Sequence, residues 1–339
     1  MSYQIGMDAI HLKPTPRLAH TEYCSNDSLK RRVEAKTGKQ LAEAWEFDLL
    51  WSTNDGPIPF SDRGRSTDMG HAEFLENGTD WREPQPSPFT DPEQVLEFDA
   101  VEEFGLLDFD DLVAYYEDTY SRTQRDNPDQ IFTSGYYKTI VSGAIDVFGW
   151  DMLLEAAADQ ERFEAVLDSI FRLTLHHVKA WAKTSAPVFI CHDDMVWSEG
   201  PFIHPDFYRK VIFPRYAELW KVLKDAGKKV LYCSDGTWTE FVDDIADAGA
   251  DGFIFEPTTS LDLVVEKYGQ THVIVGSHVD CRTLTFGTTN EIKAEIDSTL
   301  ELTHGCRGFM FAVGNHIPSN VPVDNALFFF DYLSKNWAR

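Results

Sequence analysis

The sequence predicts an α/β protein built as a (β/α)8 barrel with a loop-rich amino-terminal elaboration. Three observations carry this. In the second half, short apolar runs alternate with amphipathic stretches, the rhythm of buried parallel strands each followed by a helix. The residues just past those apolar runs are polar and reactive, as they are at the mouth of such a barrel. The length of 339 residues suits one barrel, so a single domain over 1–339 is expected.

Taken in order, residues 1–100 are the least regular part. Phe47-Asp48-Leu49-Leu50-Trp51 reads as a strand between polar stretches. From 54 to 92 the chain is crowded with Gly56, Gly64, Gly70, Gly78 and the run Pro84-Gln85-Pro86-Ser87-Pro88. A structureless connection of that length is expected to be a lid, a binding loop or a decoration of the barrel. Residues 108–127 then read as a helix and 131–137 as a strand. A long helix follows Gly149, where Phe163, Val166, Leu167, Ile170, Phe171, Val178 and Trp181 recur at three-and-four spacing.

After it, 188–190 is a strand, and Pro205 opens a helix from its first turn. Strand 230–232 precedes helix 238–248, and strand 252–255 precedes helix 261–268. Strand 272–275 follows, and Thr288 with Glu291 offers a capping box for a helix to about 303. Strand 308–313 and helix 323–337 close the series. With the strands near 48 and 132, these units approach the eight of a closed barrel. A doubly wound open sheet is the alternative, but no GxGxxG follows any strand.

Composition limits the partners. The chain is 43% hydrophobic and 13% aromatic, enough for a large core. Against 30 basic residues stand 56 acidic ones, a formal charge of −26. That sign opposes nucleic acid and anionic membranes, so neither is an expected partner. No apolar run approaches the roughly 20 residues of a membrane span. The start, MSYQIGMDAI, does not read as a secretory leader. Cysteines 24, 191, 233, 281 and 306 form no CxxC pair. Their odd, scattered set argues for a reducing compartment, and a cytoplasmic location is expected.

The strand ends read Cys191-His192-Asp193-Asp194, Cys233-Ser234-Asp235-Gly236, Glu256, Ser277-His278-Val279-Asp280-Cys281 and Gly314-Asn315-His316. One such end would be explained by a helix cap or turn. Five in succession are expected to converge on a polar funnel. Thiols, imidazoles and carboxylates together could hold zinc, with Cys233 and Asp235 past one strand and His316 or Asn315 opposite. A buried apolar role for Cys233 is the plainer alternative. A glycosidase could draft Asp194 and Glu256 as its two carboxylates. A serine hydrolase lacks its GxSxG elbow here.

Several ordered motifs resemble the uroporphyrinogen decarboxylase superfamily over roughly 145–337. The segment Gly314-Asn315-His316-Ile317-Pro318-Ser319-Asn320-Val321-Pro322-Val323-Asp324-Asn325 resembles its closing motif. Gly276-Ser277-His278-Val279-Asp280, then Leu284, Gly287, Glu291 and Ile292, resembles the strand and loop before it. Cys233-Ser234-Asp235-Gly236 is similar to its strand-end His-Ser-Asp-Gly element. His192-Asp193-Asp194, with Gly200-Pro201-Phe202-Ile203, Pro205 and Pro214-Arg215-Tyr216, resembles its middle segment.

The resemblance implies a TIM barrel and one of two activities: cofactor-free decarboxylation of a porphyrinogen, or zinc-dependent methyl transfer to or from a corrinoid protein. True decarboxylases carry an arginine-rich amino-terminal loop that binds substrate carboxylates. Here Pro16-Arg17-Leu18-Ala19-His20-Thr21-Glu22-Tyr23 echoes it without the second arginine. The resemblance therefore favours the methyltransferase branch. It implies a small-molecule methyl donor or acceptor (a methyl ether, methylamine or thiol), a cobalamin carried by a partner protein, and a homodimer. The family's zinc ligands fall at Cys233, Asp235 and Asn315, with changed residue types, and His316 is expected to replace Asn315. His192, Asp194, His278 and Glu256 are expected as acid–base or substrate groups. Arg17, His20 and Glu22 are expected to close the mouth and bind substrate. The aromatics Trp45, Trp51, Phe60 and Trp81 are further candidates for the pocket wall.

Overall fold

The structure, a computed structural model, describes residues 2–58 and 87–339, with the backbone of two short strands, Glu73–Phe74 and Asp80–Trp81. Most of the 54–92 segment, including Phe60 and the Trp81 side chain, therefore lies outside the described residues.

Eight parallel strands build the barrel: β1 (Ala19–His20), β2 (Leu49–Leu50), β3 (Ile131–Phe132 and Ser134–Tyr136), β4 (Val188–His192), β5 (Lys229–Cys233), β6 (Gly252–Ile254), β7 (Val273–Gly276) and β8 (Gly308–Phe311). From β3 each of the next five strands pairs with its neighbour in chain order, and β8 pairs with β1. β2 pairs with the first piece of β3. The Asp48 N–H donates to the His20 carbonyl at 2.7 Å, which joins β2 to β1 and closes the ring. The expected closed barrel is what forms, and the open-sheet alternative does not.

The helices are α1 (Ser2–Ile10), α2 (Asp27–Thr37), α3 (Phe109–Asp126), α4 (Val141–Phe148), α5 (Gln160–Ala182), α6 (Phe213–Asp225), α7 (Val242–Ala248), α8 (Leu261–Tyr268), α9 (Thr289–Thr303) and α10 (Val323–Asn336), besides several shorter ones. Residues Phe163, Val166, Leu167, Ile170, Phe171, Val178 and Trp181 are buried on α5, as their spacing predicts. The Thr288–Glu291 capping box is formed at the start of α9. Sequence reading extended helix 238–248 too far forward, since Thr239–Phe241 is a 3-10 turn and α7 begins at Val242. It missed α1 and α4, which are short and largely apolar, and α2, in which Leu29 and Val33 are the buried residues and leave too little apolar stripe to read.

Side chains alternate along each strand between the barrel interior and the helix shell. One apolar cluster fills the interior and joins Ala19, Leu49, Ile131, Val188, Ile190, Leu231, Cys233, Ile254, Val273, Val275, Met310 and Ala312. The alternate residues, such as Phe189, Cys191, Val230, Tyr232, Phe253, Ile274, Phe309 and Phe311, belong to the cluster shared with the helices. This parity decides which strand-end residues can reach the mouth.

Helix α1 plugs the opposite end. Ala9 and Ile10 join the interior cluster. Gly6 crosses so close that a Cβ there would stand 2.7 Å from the Asp48 carbonyl oxygen and 2.8 Å from Ile131 Cδ1. Only glycine permits that approach. Among the described residues, no helix is long and apolar enough to cross a membrane.

Candidate active site

Inward parity on β4 carries from Val188 and Ile190 to His192 and Asp194. On β5 it runs from Leu231 to Cys233 and Asp235, and on β6 from Ile254 to Glu256. These residues meet. His192 Nε2 lies 3.0 Å from Asp194 Oδ1, which also accepts the Asp235 N–H at 3.0 Å. The Tyr137 hydroxyl donates to Asp194 Oδ2 at 3.3 Å, and its ring stacks on His192 at 4.1 Å. Asp194 is tied to the β3–α4 turn as well, its N–H donating to Ser142 Oγ at 2.6 Å.

Burial opposes a charge on Asp194, but the charge and hydrogen bond of His192 outweigh it, helped by the Asp235 N–H and Lys138. The carboxyl is held down at about 2, from an ordinary 3.8. It is therefore anionic at neutral pH and suited to accept a hydrogen bond from His192 Nε2.

Glu256 braces the neighbouring turn. Its Oε1 accepts the Gly236 N–H at 2.7 Å. Gly236 has φ +80, and a Cβ there would meet the Trp197 carbonyl oxygen at 2.7 Å, so this turn needs glycine. Burial pushes the Glu256 carboxyl up, against the pull of the Gly236 N–H and Arg282.

Asp193 faces outward and does structural work. Its carboxylate accepts the N–H groups of Ile140, Val141 and Ser142 and the Tyr216 hydroxyl. A carboxylate at the start of α4 suits the positive end of that helix. It locks the β3–α4 turn onto β4, directly beside Asp194.

A small pocket, partly open to solvent, lies at the carboxyl ends of the strands. Trp51, Cys233, Asp235, Ile254, Val275 and Asn315 are among its walls. Asn315, at φ 66, donates from Nδ2 to Asp235 Oδ2 at 3.1 Å. The Trp51 ring packs 5.5 Å from that of Tyr23 and 6.4 Å from His192.

The expected zinc ligands do not fit a zinc site in this arrangement. Cys233 and Asp235 share the pocket, but His316 is not in its wall. The His316 Nδ1 is hydrogen-bonded to Asn315 Oδ1, and its ring lies 6.2 Å from Tyr23. Among the described residues, no three His, Cys, Asp or Glu side chains are grouped to hold a metal ion. Burial, with Asp235 and Asp194 nearby, pushes the Cys233 thiol well above its ordinary range.

The structure does not bring four other expected residues to the pocket. Arg17 precedes β1, at the plugged end, and grips Asp48 with both terminal nitrogens at 2.7 and 2.8 Å. His20 faces outward and is packed among Phe47, Phe329, Phe330 and Trp337. Glu22 is buried between His20 Nε2, at 3.1 Å, and the Val313 N–H, at 2.9 Å. His278 follows outward parity from β7 and meets Ser298 on α9 and Asp262 on α8. None of the four lines the pocket. Trp45 also turns away, stacking on Phe330 at 5.1 Å.

Sequence reading missed Tyr137 and Lys138. The signal was present, since Tyr137 is the last residue of the strand read at 131–137 and Lys138 follows it, but only later strand ends were read for polar residues. Lys138 Nζ lies 3.3 Å from Asp146 Oδ1, in an almost fully buried pair, and 4.1 Å over the Tyr137 ring.

Comparison with known proteins gives the family and the fold. A methyltransferase from Methanosarcina mazei shares the fold over 99% of both chains, with a TM-score of 0.71 and 18% identity. Family 2 AP endonuclease from Brucella melitensis is 14% identical over 67% of this chain and 86% of its own, with a TM-score of 0.39. D-Psicose 3-epimerase from Clostridium cellulolyticum H10 is 13% identical over 68% and 88%, also with a TM-score of 0.39. Curated proteins yield no significant match. The family model for uroporphyrinogen decarboxylase (URO-D) matches residues 141–335, a stretch that holds β4 to β8 and the His192–Asp194 pair. The chain belongs to the uroporphyrinogen decarboxylase family.

Proposed function

We propose that this protein is a methyltransferase that moves a methyl group between a small molecule and a corrinoid protein. The observation that carries this reading is the charge at the mouth. A porphyrinogen decarboxylase must hold several substrate carboxylates, and Arg17, the one arginine of the amino-terminal motif, is spent on Asp48 at the other end of the barrel. The pocket wall offers the Asp235 carboxylate instead. A polyanionic substrate would meet repulsion there. The methyltransferase activity of the M. mazei protein, similar over its whole length, supports the same choice.

The corrinoid, bound to its own protein, would supply the nucleophilic or methyl-carrying cobalt when that protein docks. This chain's residues position the small molecule and exclude water. His192, oriented by Asp194, takes or returns a proton at Nδ1 where the substrate is a thiol or alcohol. No step is assigned to zinc, because the ligands present do not gather around one point. The zinc expectation is settled by metal analysis of protein purified without added metal.

The reading is tested by mixing the protein with reduced cobalamin and a panel of methyl ethers, methylamines and methyl thioethers. Methylcobalamin with thiols is run in parallel, and both are followed by the visible spectrum. Methylation or demethylation of the cobalamin that requires the protein supports the proposal. Loss of carboxyl groups from uroporphyrinogen, with no methyl transfer, would overturn it.

A further inference from the structure

We infer that the pocket binds its small-molecule substrate as a methylated ammonium cation. This rests on the methyl-transfer reading and names the substrate class within it. Three features of the walls point the same way. The half-buried Trp51 indole, which lines the pocket and packs 5.5 Å from the Tyr23 ring, supplies a π surface. Quaternary ammonium groups are recognised by such faces, and tryptophan is the strongest. Asp235 supplies one carboxylate to the same pocket. Its Oδ2 is held by the Asn315 amide at 3.1 Å and its N–H by Asp194, so the group is fixed in place.

The rest of the wall is apolar, with Ile254 and Val275 among its members. That suits N-methyl groups, which spread the cation's charge over a greasy surface and ask for no hydrogen bond. A thiol or alcohol would gain little from an indole face and a carboxylate. Among the described residues the wall contains no lysine or arginine. The nearby Lys138 is paired with Asp146 at 3.3 Å, and Arg282 reaches Asp280 at 3.2 Å. The net charge of −26 draws cations toward the molecule as a whole.

The chemistry balances. The carbon–nitrogen bond breaks, and nitrogen keeps the electron pair and becomes a neutral amine. The methyl group passes to a two-electron nucleophile, the reduced corrinoid of the partner. Loss of the positive charge removes the attraction to Trp51 and Asp235, so the product is released more readily than the substrate binds.

Calorimetric titration with choline and with its uncharged carbon isostere, 3,3-dimethylbutan-1-ol, tests the inference. The two share shape and differ in charge. Choline is expected to bind at least about tenfold more tightly, a difference in the range of a desolvated cation–π contact. Trp51→Leu and Asp235→Asn are each expected to weaken choline about tenfold and to leave the isostere within about twofold. Thermal melts check that both variants fold, and the wild-type comparison stands without them. Equal binding of the two ligands, or binding of neither, overturns the inference. Selective choline binding with no methyl transfer from any donor sinks the methyl-transfer reading and leaves the cation site standing. Transfer from ethers or thiols without choline preference does the reverse.

Discussion

Two histidine–carboxylate pairs of the same sequence spacing stand at the ends of two barrel strands. His20 Nε2 is 3.1 Å from Glu22 after β1, and His192 Nε2 is 3.0 Å from Asp194 after β4. Their surroundings separate them. The first pair points outward, into the aromatic packing of α10. The second points inward, beside a pocket. Burial wins at Glu22, whose carboxyl is pushed up in spite of His20. At Asp194 the histidine wins, and the carboxyl is held at about 2. Residue types and spacing alone do not mark a site, because strand parity decides which face they serve.

The strongest way to sharpen the contrast is at the structural end. Asp48→Ala would leave the buried Arg17 guanidinium without its partner. An expected loss of about 3–5 kcal/mol follows, read by chemical denaturation, with activity per folded molecule retained. Burial raises the Asp48 carboxyl even beside Arg17, so the pair itself is not a large net stabiliser. The double change Arg17→Met with Asp48→Leu is therefore expected to recover most of the loss. Failure to recover would mean that Arg17 does more than fill the shell.

Asp194→Asn should behave in the opposite way. The shape is kept and the charge that orients His192 is lost, so, under the proposed function, any transfer step that needs a proton moved at His192 is expected to fall about 100-fold, roughly 2.7 kcal/mol. Glu22→Gln should leave turnover within about twofold. If Glu22→Gln proved the more damaging to turnover, the comparison would be inverted.

Acid titration distinguishes the pairs further. The folded-state value of Asp194 is depressed from 3.8 to about 2. Its charge therefore stabilises the fold above pH 3.8, and that contribution is lost as pH falls toward about 2. The stability gap between wild type and Asp194→Asn should shrink over that window, as followed by denaturant melts at stepped pH. A gap that widened on acidification would refute the assignment. The smallest effect belongs to His278→Ala. This side chain contacts the outer helices, so stability is expected to change by about 0.5 kcal/mol or less, with turnover unaltered.

Most of the barrel was legible because its strands are short continuous apolar runs, and each is followed by a helix with a clear apolar face. Val188–His192 and Lys229–Cys233 show this best. β1 was not legible, since two residues of regular pairing leave no pattern to read. The candidate site was legible in part. His192, Asp194, Cys233, Asp235 and Glu256, named by looking past the strands, all stand at inward parity. The outward placement of His278 could have been read from the interior positions Val273 and Val275, because it stands at the opposite parity to them. His20 required knowing that Ala19 faces inward, which only the folded chain reveals. Trp51 was ambiguous between wall and packing, and Tyr137 was overlooked.

The helix that seals the far end of the barrel has a kinetic consequence. Among the described residues α1 stoppers one end of the barrel and the pocket lies at the other, so reactants would share that end. A small reactant can be reached by a large docking protein only if it is already inside when the protein arrives. Bound first, it is then trapped until the larger body leaves. Under the proposed methyl transfer, the small molecule would therefore bind before its large partner, an order that follows from the end closed by the close crossing of Gly6.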